Sequence, residues 1–594
     1  MTHPIGDYGF IGDTRSGALI APDGTIDWWC VPRFDRAPVF GRLVGGDEAG
    51  SFALGPVAPA ARHVAYRDHT TTLVTTWAVD GAELTLEDTL VAEVGGRLLP
   101  PTVLVRRLSV RGSAVPCRIS VAPRFGYGRQ PARRTARRSG GLILESGDLV
   151  LAVTTDLGVP IEPGSEVEWE LRPDRPVTVV MTASDNGPAI IVPPDVGRAA
   201  ATRDERSWRG WCPDLPDDLP HVASVRRSLI VLRLLTYAPS GAPVAAPTTS
   251  LPEVLGGDRN WDYRYSWPRD ASMGLAAFLA ADKHEEALAF IAWLLHANRI
   301  ARPRLPVLFT LDGRPGTPER ELDGWPGYEH SRPVRVGNGA SQQEQLDGYG
   351  WVLDAAWRLE QAGHRLNGET WRAMASLADY VVEHWQQPDA GIWEHREAPS
   401  HHVHSKLMAW RALECALHLA VGRRLLPARR HRWEAARDGV AHAIRTRAYD
   451  AGLGAYVARF DSADLDAALL LLPMLEFEPD RAKVRGTIDA IRSRLGAGGA
   501  LLYRYLSDER PAEGAFLACS FWLVQALAAT GQTDEANAVF DELIGLGGPL
   551  GLYGEELDPR THAHLGNYPQ ALTHAALVQA AFALRRASGG AGAA

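Results

Sequence analysis

Residues 260–270, NWDYRYSWPRD, crowd four aromatic rings, two arginines and two aspartates into eleven positions, and the chain then enters ASMGLAAFLAAD, a helix-like run. A core does not absorb that much charge without partners, and a solvated loop has little use for four rings. The mixture suits a wet pocket for a hydroxyl-rich ligand, with flat rings against its C–H faces and Arg and Asp on its hydroxyls. The competing reading is a domain-interface loop with aromatic anchors. Two further loops carry carboxylates. QPDAGIWEHREAP (387–399) holds Trp393 and Glu394, and GLYGEELDPRTHAHLGNYPQ (551–570) holds Glu555 and Glu556. Cleaving a glycosidic bond takes one carboxylic acid to protonate the leaving oxygen and one carboxylate to activate water or attack. Trp393 beside Glu394 would strip water from it and hold it protonated near neutral pH.

These loops need a scaffold, and the chain changes character near residue 212. Before it, short alternating segments are separated by the hairpin-like turns VDGAE, VRGSA and ESGDL, which predict a large antiparallel sandwich over 1–212. WCPDLPDDLP marks a boundary, and 213–252 reads as a linker with a first helix. From there to 590 the period is 3.6, in about twelve segments. Some, such as LLLLPML and AFLACSFWLVQAL, are apolar around most of their circumference, so an inner layer must be wrapped by an outer one. Without a strict repeat, a closed barrel of helical hairpins is preferred to a solenoid, and function is expected on the loops at one end.

Composition narrows the classes. A net charge of −9 and a pI near 6.1 argue against a broad nucleic-acid surface. The basic run 129–140 reads as a solvated loop. Eighteen Trp against fourteen Phe is the bias expected where rings meet sugars. Five scattered cysteines without a CxxC spacing, no signal-like N-terminus and no membrane-length apolar run predict a cytoplasmic protein. Oligomeric state is not readable. His401, His402 and His404 lie close together, but lacking HExxH spacing or cysteines they are not read as a metal site, and no cofactor is expected.

The blocks YRYSWPRD, SRPVRVGNGASQQEQLDGYG, DAGIWEHREAPSHHVHSKLMAWRALE, LLYRYLSDERPAEGAFLACSFWL and GEELDPRTHAHLGNYPQALTHAAL, in this order, resemble glycoside hydrolase family 15, the inverting glucoamylase, trehalase and glucodextranase family. The N-terminal IGDYGFIGDTRSGALIAPDGTIDWWCVPRFD resembles its bacterial sandwich domain. The resemblance implies an N-terminal antiparallel β-sandwich followed by an (α/α)6 barrel. It implies an exo-acting hydrolase that releases β-glucose from the non-reducing end of a small α-glucoside.

Carried over position by position, it implies Glu394 as general acid and Glu555, rather than Glu556, as general base. It further implies Arg269 and Asp270 on hydroxyls of the terminal glucose, Tyr263 and Trp267 as aromatic walls, Trp393 beside the acid, and Arg504 reaching the sugar. Gln345 and Asp347 line the pocket or cap the next helix, and His404 props the acid loop. Two positions depart from fungal members: His395 stands where they carry a second Glu, and a Trp shortly before QLDG is missing. Both bear on the leaving-group side, so preference among trehalose, maltose-type and isomaltose-type sugars stays open, as does a contribution from DWWCVPRFD. Two other readings remain. A disaccharide phosphorylase would not need the second carboxylate, and a sugar-binding regulatory barrel would keep only the pocket.

Overall fold

Alternation of apolar and polar side chains over residues 9–185 builds two antiparallel sheets in the computed structural model, which describes residues 2–94, 97–98, 101–136, 141–299, 302–507 and 513–590. One sheet has seven strands, running from Gly9–Gly12 at one edge to Glu166–Leu171 at the other. The other has eight, from Arg133–Ala136 to Ala61–Tyr66. In the second sheet Leu84 pairs with Val110 and Leu86 with Leu108, so each pleat sends apolar residues to the same face. Arg106 and Asp88 are also paired and fully buried. The Arg106 guanidinium donates to Asp88 at 2.7 Å and reaches the first sheet through the carbonyls of Phe52 and Gly24. Partnered this way, one charge pair locks the two sheets face to face.

Three details differ from the sequence reading. VDGAE and ESGDL are hairpin turns, but VRGSA joins strands of different sheets and is a crossover. Part of the basic run is strand, Arg133–Ala136; residues 137–140 lie outside the described residues. Helix α1 (Pro194–Trp211) covers the eight-stranded sheet. Its buried stripe includes Asp204 and Glu205, which accept from the Ala92 amide and the Thr72 hydroxyl. Charged residues on the inner face hid its apolar period.

The helical region continues with α2 (Val222–Leu234), α3 (Pro268–Ala280), α4 (His284–Ala297), α5 (Asp347–Gln361), α6 (Gly368–His384), α7 (Val403–Leu419), α8 (Pro427–Arg447), α9 (Arg481–Leu495), α10 (Leu517–Ala529), α11 (Thr533–Gly545) and α12 (Ala571–Gly590). LLLLPML is not an α-helix. Ala467–Leu471 forms a short 3₁₀ turn, and Pro473 removes the amide that a longer helix would need. This turn still occupies a place in the inner layer. α3 packs on α5, α5 on α7, α7 on the 3₁₀ turn, the turn on α10, α10 on α12, and α12 back on α3. α10 is buried on nearly every side, as its apolar circumference requires. No described helix is long and apolar enough to cross a membrane.

Candidate active site

The loops that precede the inner elements hold the chemistry. Residues 260–267 lead into α3, 343–345 into α5, 389–402 into α7, 466 into the 3₁₀ turn, 504–507 and 513 into α10 and 555–570 into α12. Side chains from these loops line one cavity of about 940 Å³, whose described lining comes from residues 245–572 alone. DWWCVPRFD therefore stays outside it: Trp28 donates to the Pro247 carbonyl at 2.8 Å and Arg33 pairs with Asp312, both joining the sheets to the helical region.

The eleven-residue stretch does two jobs because residues 260–267 are extended with alternating side chains, while Pro268, Arg269 and Asp270 already form the first turn of α3. Asp262 and Arg264 turn toward the sheets. They form a fully buried ion pair at 2.7 Å, and Arg264 also donates to the Arg36 carbonyl and the Tyr127 hydroxyl. Trp261, Tyr263, Trp267, Arg269 and Asp270 face the cavity. The segment thus turns one face to the cavity and the other to the sheets.

On the cavity face, Tyr263 and Trp267 are more than walls. The Tyr263 hydroxyl donates to Glu555 Oε1 at 2.7 Å, and Trp267 Nε1 donates to Glu394 Oε1 at 2.7 Å. Their rings meet edge to face, centroids 5.6 Å apart. One segment thus holds a carboxylate from each of two distant loops. The indole that touches the candidate acid is Trp267; Trp393 instead donates to Asp466 at 2.9 Å and packs against Phe516. The indole bonded to the candidate acid thus comes from 127 residues earlier, while Trp393, its neighbour in sequence, lines the same cavity.

Glu394 sits at φ +57°, a left-handed conformation that a glutamate adopts at a cost. The loop imposes it. Arg269 donates to the Ile392 carbonyl at 2.8 Å, Gln343 Nε2 donates to the Glu394 and His395 carbonyls, and Gly391 lies too close to the His402 ring to carry a side chain. Burial pushes the Glu394 carboxyl above its usual range, opposed by Arg269, whose guanidinium lies 3.5 Å away and also binds Asp270 at 2.7 Å.

Glu555 is buried, its Oε2 without a hydrogen-bond partner, and burial pushes its carboxyl up to about 7 against the pull of Arg504. Gly566 backs it at φ +70°, where an added Cβ would come 2.5 Å from Glu555 Oε2. Gly566→Ala must therefore move the carboxylate or strain the loop. The expected result is a kcat lower by about 10–100-fold, since a displacement of about 1 Å costs that order. Wild-type kcat in a folded Gly566→Ala variant would show that this contact is slack.

Arg504 lines the cavity and is held by Glu513, by Glu253 at 3.1 Å and by Glu556 at 3.5 Å. Glu556 is absent from the cavity lining and accepts the Gly514 amide at 2.9 Å, so of the two adjacent glutamates Glu555 is the one that faces the ligand space. Gln345 touches the Glu394 carboxyl without lining the cavity, while Asp347 is buried behind it, with neither oxygen hydrogen-bonded. Neither caps α5.

The histidines disperse. His402 and His395 stack in the cavity wall, His401 packs on Phe460, and His404 lies beside Trp351 with neither ring nitrogen hydrogen-bonded, so it does not prop the acid loop through a hydrogen bond. Burial lowers His402 to about 4 and His404 to about 3, leaving both neutral. Among the described residues the one group of acidic or thiol side chains close enough to share an ion is Glu253, Glu513 and Glu556, where Arg504 already sits. Sequence reasoning missed Glu253, Glu513, Gln343 and Asp466. Three of these four, Gln343, Asp466 and Glu513, lie just before an inner element, which is the signal that would have raised them.

Fold and cavity together define a chain of the glycoside-hydrolase class. Residues 220–582 match Glycosyl hydrolases family 15 and residues 1–178 match the Trehalase-like, N-terminal family, and the chain belongs to glycosyl hydrolase family 15. It is 35% identical to a trehalase of Mycolicibacterium smegmatis over 98% of this chain and 92% of that protein. It is 31% identical to a trehalase of Thermoplasma volcanium over 98% and 93%. A crystal structure of a bacterial glucoamylase complexed with acarbose shares the fold, with a TM-score of 0.72, 13% identity and coverage of 97% of this chain and 94% of that one.

Proposed function

We propose that this protein is an inverting, exo-acting α-glucoside hydrolase whose preferred substrate is trehalose, working inside an (α/α)6 barrel. The observation that carries the reading is the pair of carboxylates, half-buried Glu394 and buried Glu555, each held by one ring of the same segment in one cavity. Glu394, raised by burial, gives its proton to the glycosidic oxygen. Glu555, one oxygen fixed by Tyr263 and the other free, takes a proton from the attacking water. Two rings span the interval between the carboxyls, which favours room for a water and hence inversion, the arrangement of carboxyls about 6.5–9.5 Å apart. The ring of inner elements supports the barrel, with the 3₁₀ turn as its fourth member. Trehalose is supported by the trehalase relatives, which align over nearly the whole chain. A cytoplasmic location is supported by five free cysteines. We propose domain limits of 1–212 and 253–590, joined by 213–252.

Two measurements test the reading. Proton NMR before mutarotation should show β-glucose as the new anomer released from trehalose; an initial excess of α-glucose beyond the one the leaving group supplies would sink inversion. In a screen of trehalose, maltose, isomaltose, panose and soluble starch, kcat/KM should be highest for trehalose and starch should show no internal cleavage. Requirement for phosphate, with glucose 1-phosphate as product, would move the protein to the phosphorylases.

A further inference from the structure

Asp466, just before the 3₁₀ turn, has one oxygen tied to the scaffold and the other left to the cavity. Its Oδ1 accepts from the Trp393 indole at 2.9 Å and from the Ala468 amide at 2.8 Å, so it caps the turn. The next residue, Ala467, donates its amide to the Arg504 carbonyl at 2.9 Å, which fixes the turn against the segment before α10. Asp466 Oδ2 accepts no hydrogen bond among the described residues and is not sealed in by them, and the side chain lines the cavity. The residue is only 4% exposed. Burial pushes its carboxyl up to about 6, opposed by the Ala468 amide, Trp393 and Arg504, so it is ionised at neutral pH. A buried, ionised oxygen without a donor costs free energy unless a ligand supplies one. Capping does not require that cost, because an amide or hydroxyl side chain caps a turn without burying a charge.

The ring of inner elements says which sugar would supply it. In the order α3, α5, α7, turn, α10, α12, Asp270 lies in the first turn of the first member and Asp466 precedes the fourth. The two carboxylates therefore stand across the ring from each other. Glu394 precedes the third member, next to Asp466 and on the way round to it from Asp270. A glycosidic oxygen at Glu394, with its terminal glucose on Arg269 and Asp270, leaves the departing sugar on the Asp466 side. The wall there also offers a ring, since Trp393 lines the cavity beside Asp466 and is steadied edge-on by Phe516, centroids 5.2 Å apart. An aromatic face next to an acceptor oxygen suits one sugar, the ring for its C–H face and the oxygen for a hydroxyl.

We infer that Asp466 Oδ2 binds a hydroxyl of the leaving glucose, so that Asp466 is a specificity residue for the second sugar of a disaccharide. The inference rests on the reading of Glu394 as the acid of an α-glucoside hydrolase. Asp270 and Asp466 then hold the two ends of the substrate, each with Oδ1 on the protein and Oδ2 for a hydroxyl.

The test uses the full-length protein and the disaccharide of highest kcat/KM in the screen, expected to be trehalose. In Asp466→Asn the amide oxygen keeps both N–H donors of the cap, and the NH2 replaces the acceptor on the cavity side. The melting temperature should stay near that of wild type. The kcat/KM for the disaccharide should fall by about 10–100-fold, the loss expected for a hydrogen bond to a charged group. α-Glucosyl fluoride carries no second sugar, so its kcat/KM should stay within about twofold of wild type. Calorimetric titration of the disaccharide into Glu394→Gln gives a readout without turnover, and adding Asp466→Asn should raise its Kd by about tenfold or more. A residue acting only through Trp393 on the acid would lower kcat and leave that Kd unchanged. Asp466→Ser, which caps through its hydroxyl and has no second oxygen, should repeat the pattern if the Asn variant does not fold. Wild-type kcat/KM for the disaccharide, an unchanged Kd in the double variant, or an equal loss on glucosyl fluoride would overturn the inference. Failure of the function reading looks different, because wild type itself would then cleave no disaccharide of the screen, and the inference would fall with it.

Discussion

Glu394→Gln and Glu555→Gln are each expected to fold as wild type and to lose about 10²–10⁴ in kcat, the usual contribution of a general acid or base. The short bonds to both carboxyls come from neutral donors, Trp267 Nε1 and the Tyr263 hydroxyl, which an amide oxygen accepts equally well, and Arg269, 3.5 Å from Glu394, keeps Asp270 and the Ile392 carbonyl, so neither change should loosen the loops. The losses separate by pH. Glu555 works ionised, and burial places its carboxyl at about 7, so wild-type kcat/KM should fall as pH drops through that value. Glu394 works protonated, and burial raises it, so activity should fall again on the alkaline side as its proton is lost. The acid limb should be missing from the residual activity of Glu555→Gln and the alkaline limb from that of Glu394→Gln. A folded variant with near wild-type kcat would remove that residue from the mechanism. An acid limb below pH 5 in wild type would mean that Glu555 is more solvated than its surroundings imply.

Much of the scaffold was legible because its signals are local. A 3.6-residue period survives wherever a helix buries one stripe, and eleven of the segments read this way are helices. The failures have physical causes. LLLLPML carries the apolar content of an inner helix, but Pro473 ends it as one turn, and only the ring of packed neighbours shows that it fills a helix's place. α1 was hidden because Asp204 and Glu205 sit on its buried face, with partners far away in sequence. In the site, residue types and the family blocks pointed to Glu394, Glu555, Arg269 and Asp270. They did not show that Tyr263 and Trp267 hold the carboxylates, because those bonds span 292 and 127 residues. Glu253 and Glu513 look like ordinary loop glutamates, and only burial around Arg504 distinguishes them.

Two aspartates eight positions apart in the opening stretch are expected to fail in opposite ways. Asp262 is the counter-ion of Arg264, and both are completely buried at the contact between the sheets and the helical region. Removing it in Asp262→Ala leaves a guanidinium with only the Arg36 carbonyl, the Tyr127 hydroxyl and the Cys30 sulfur around it. Breaking one side of such a pair costs about 3–5 kcal/mol. The variant should unfold at clearly lower denaturant or temperature, while the fraction that remains folded keeps near wild-type kcat. Asp270 faces the cavity, with Oδ1 on Arg269 and Oδ2 lacking a side-chain partner among the described residues. Asp270→Asn keeps size and the Arg269 contact in part, so its midpoint should stay within a few degrees of wild type. Its kcat/KM should drop steeply, because a site built to bind a hydroxyl discriminates by up to about 10⁴ when that bond is lost. Deoxy-glucosides lacking the bound hydroxyl should suffer the same loss in wild type and little further loss in Asp270→Asn. If Asp270→Asn destabilised the protein as much as Asp262→Ala and left kcat/KM intact, both aspartates would be anchors. The place of Asp270 at the cavity would then say nothing about the sugar.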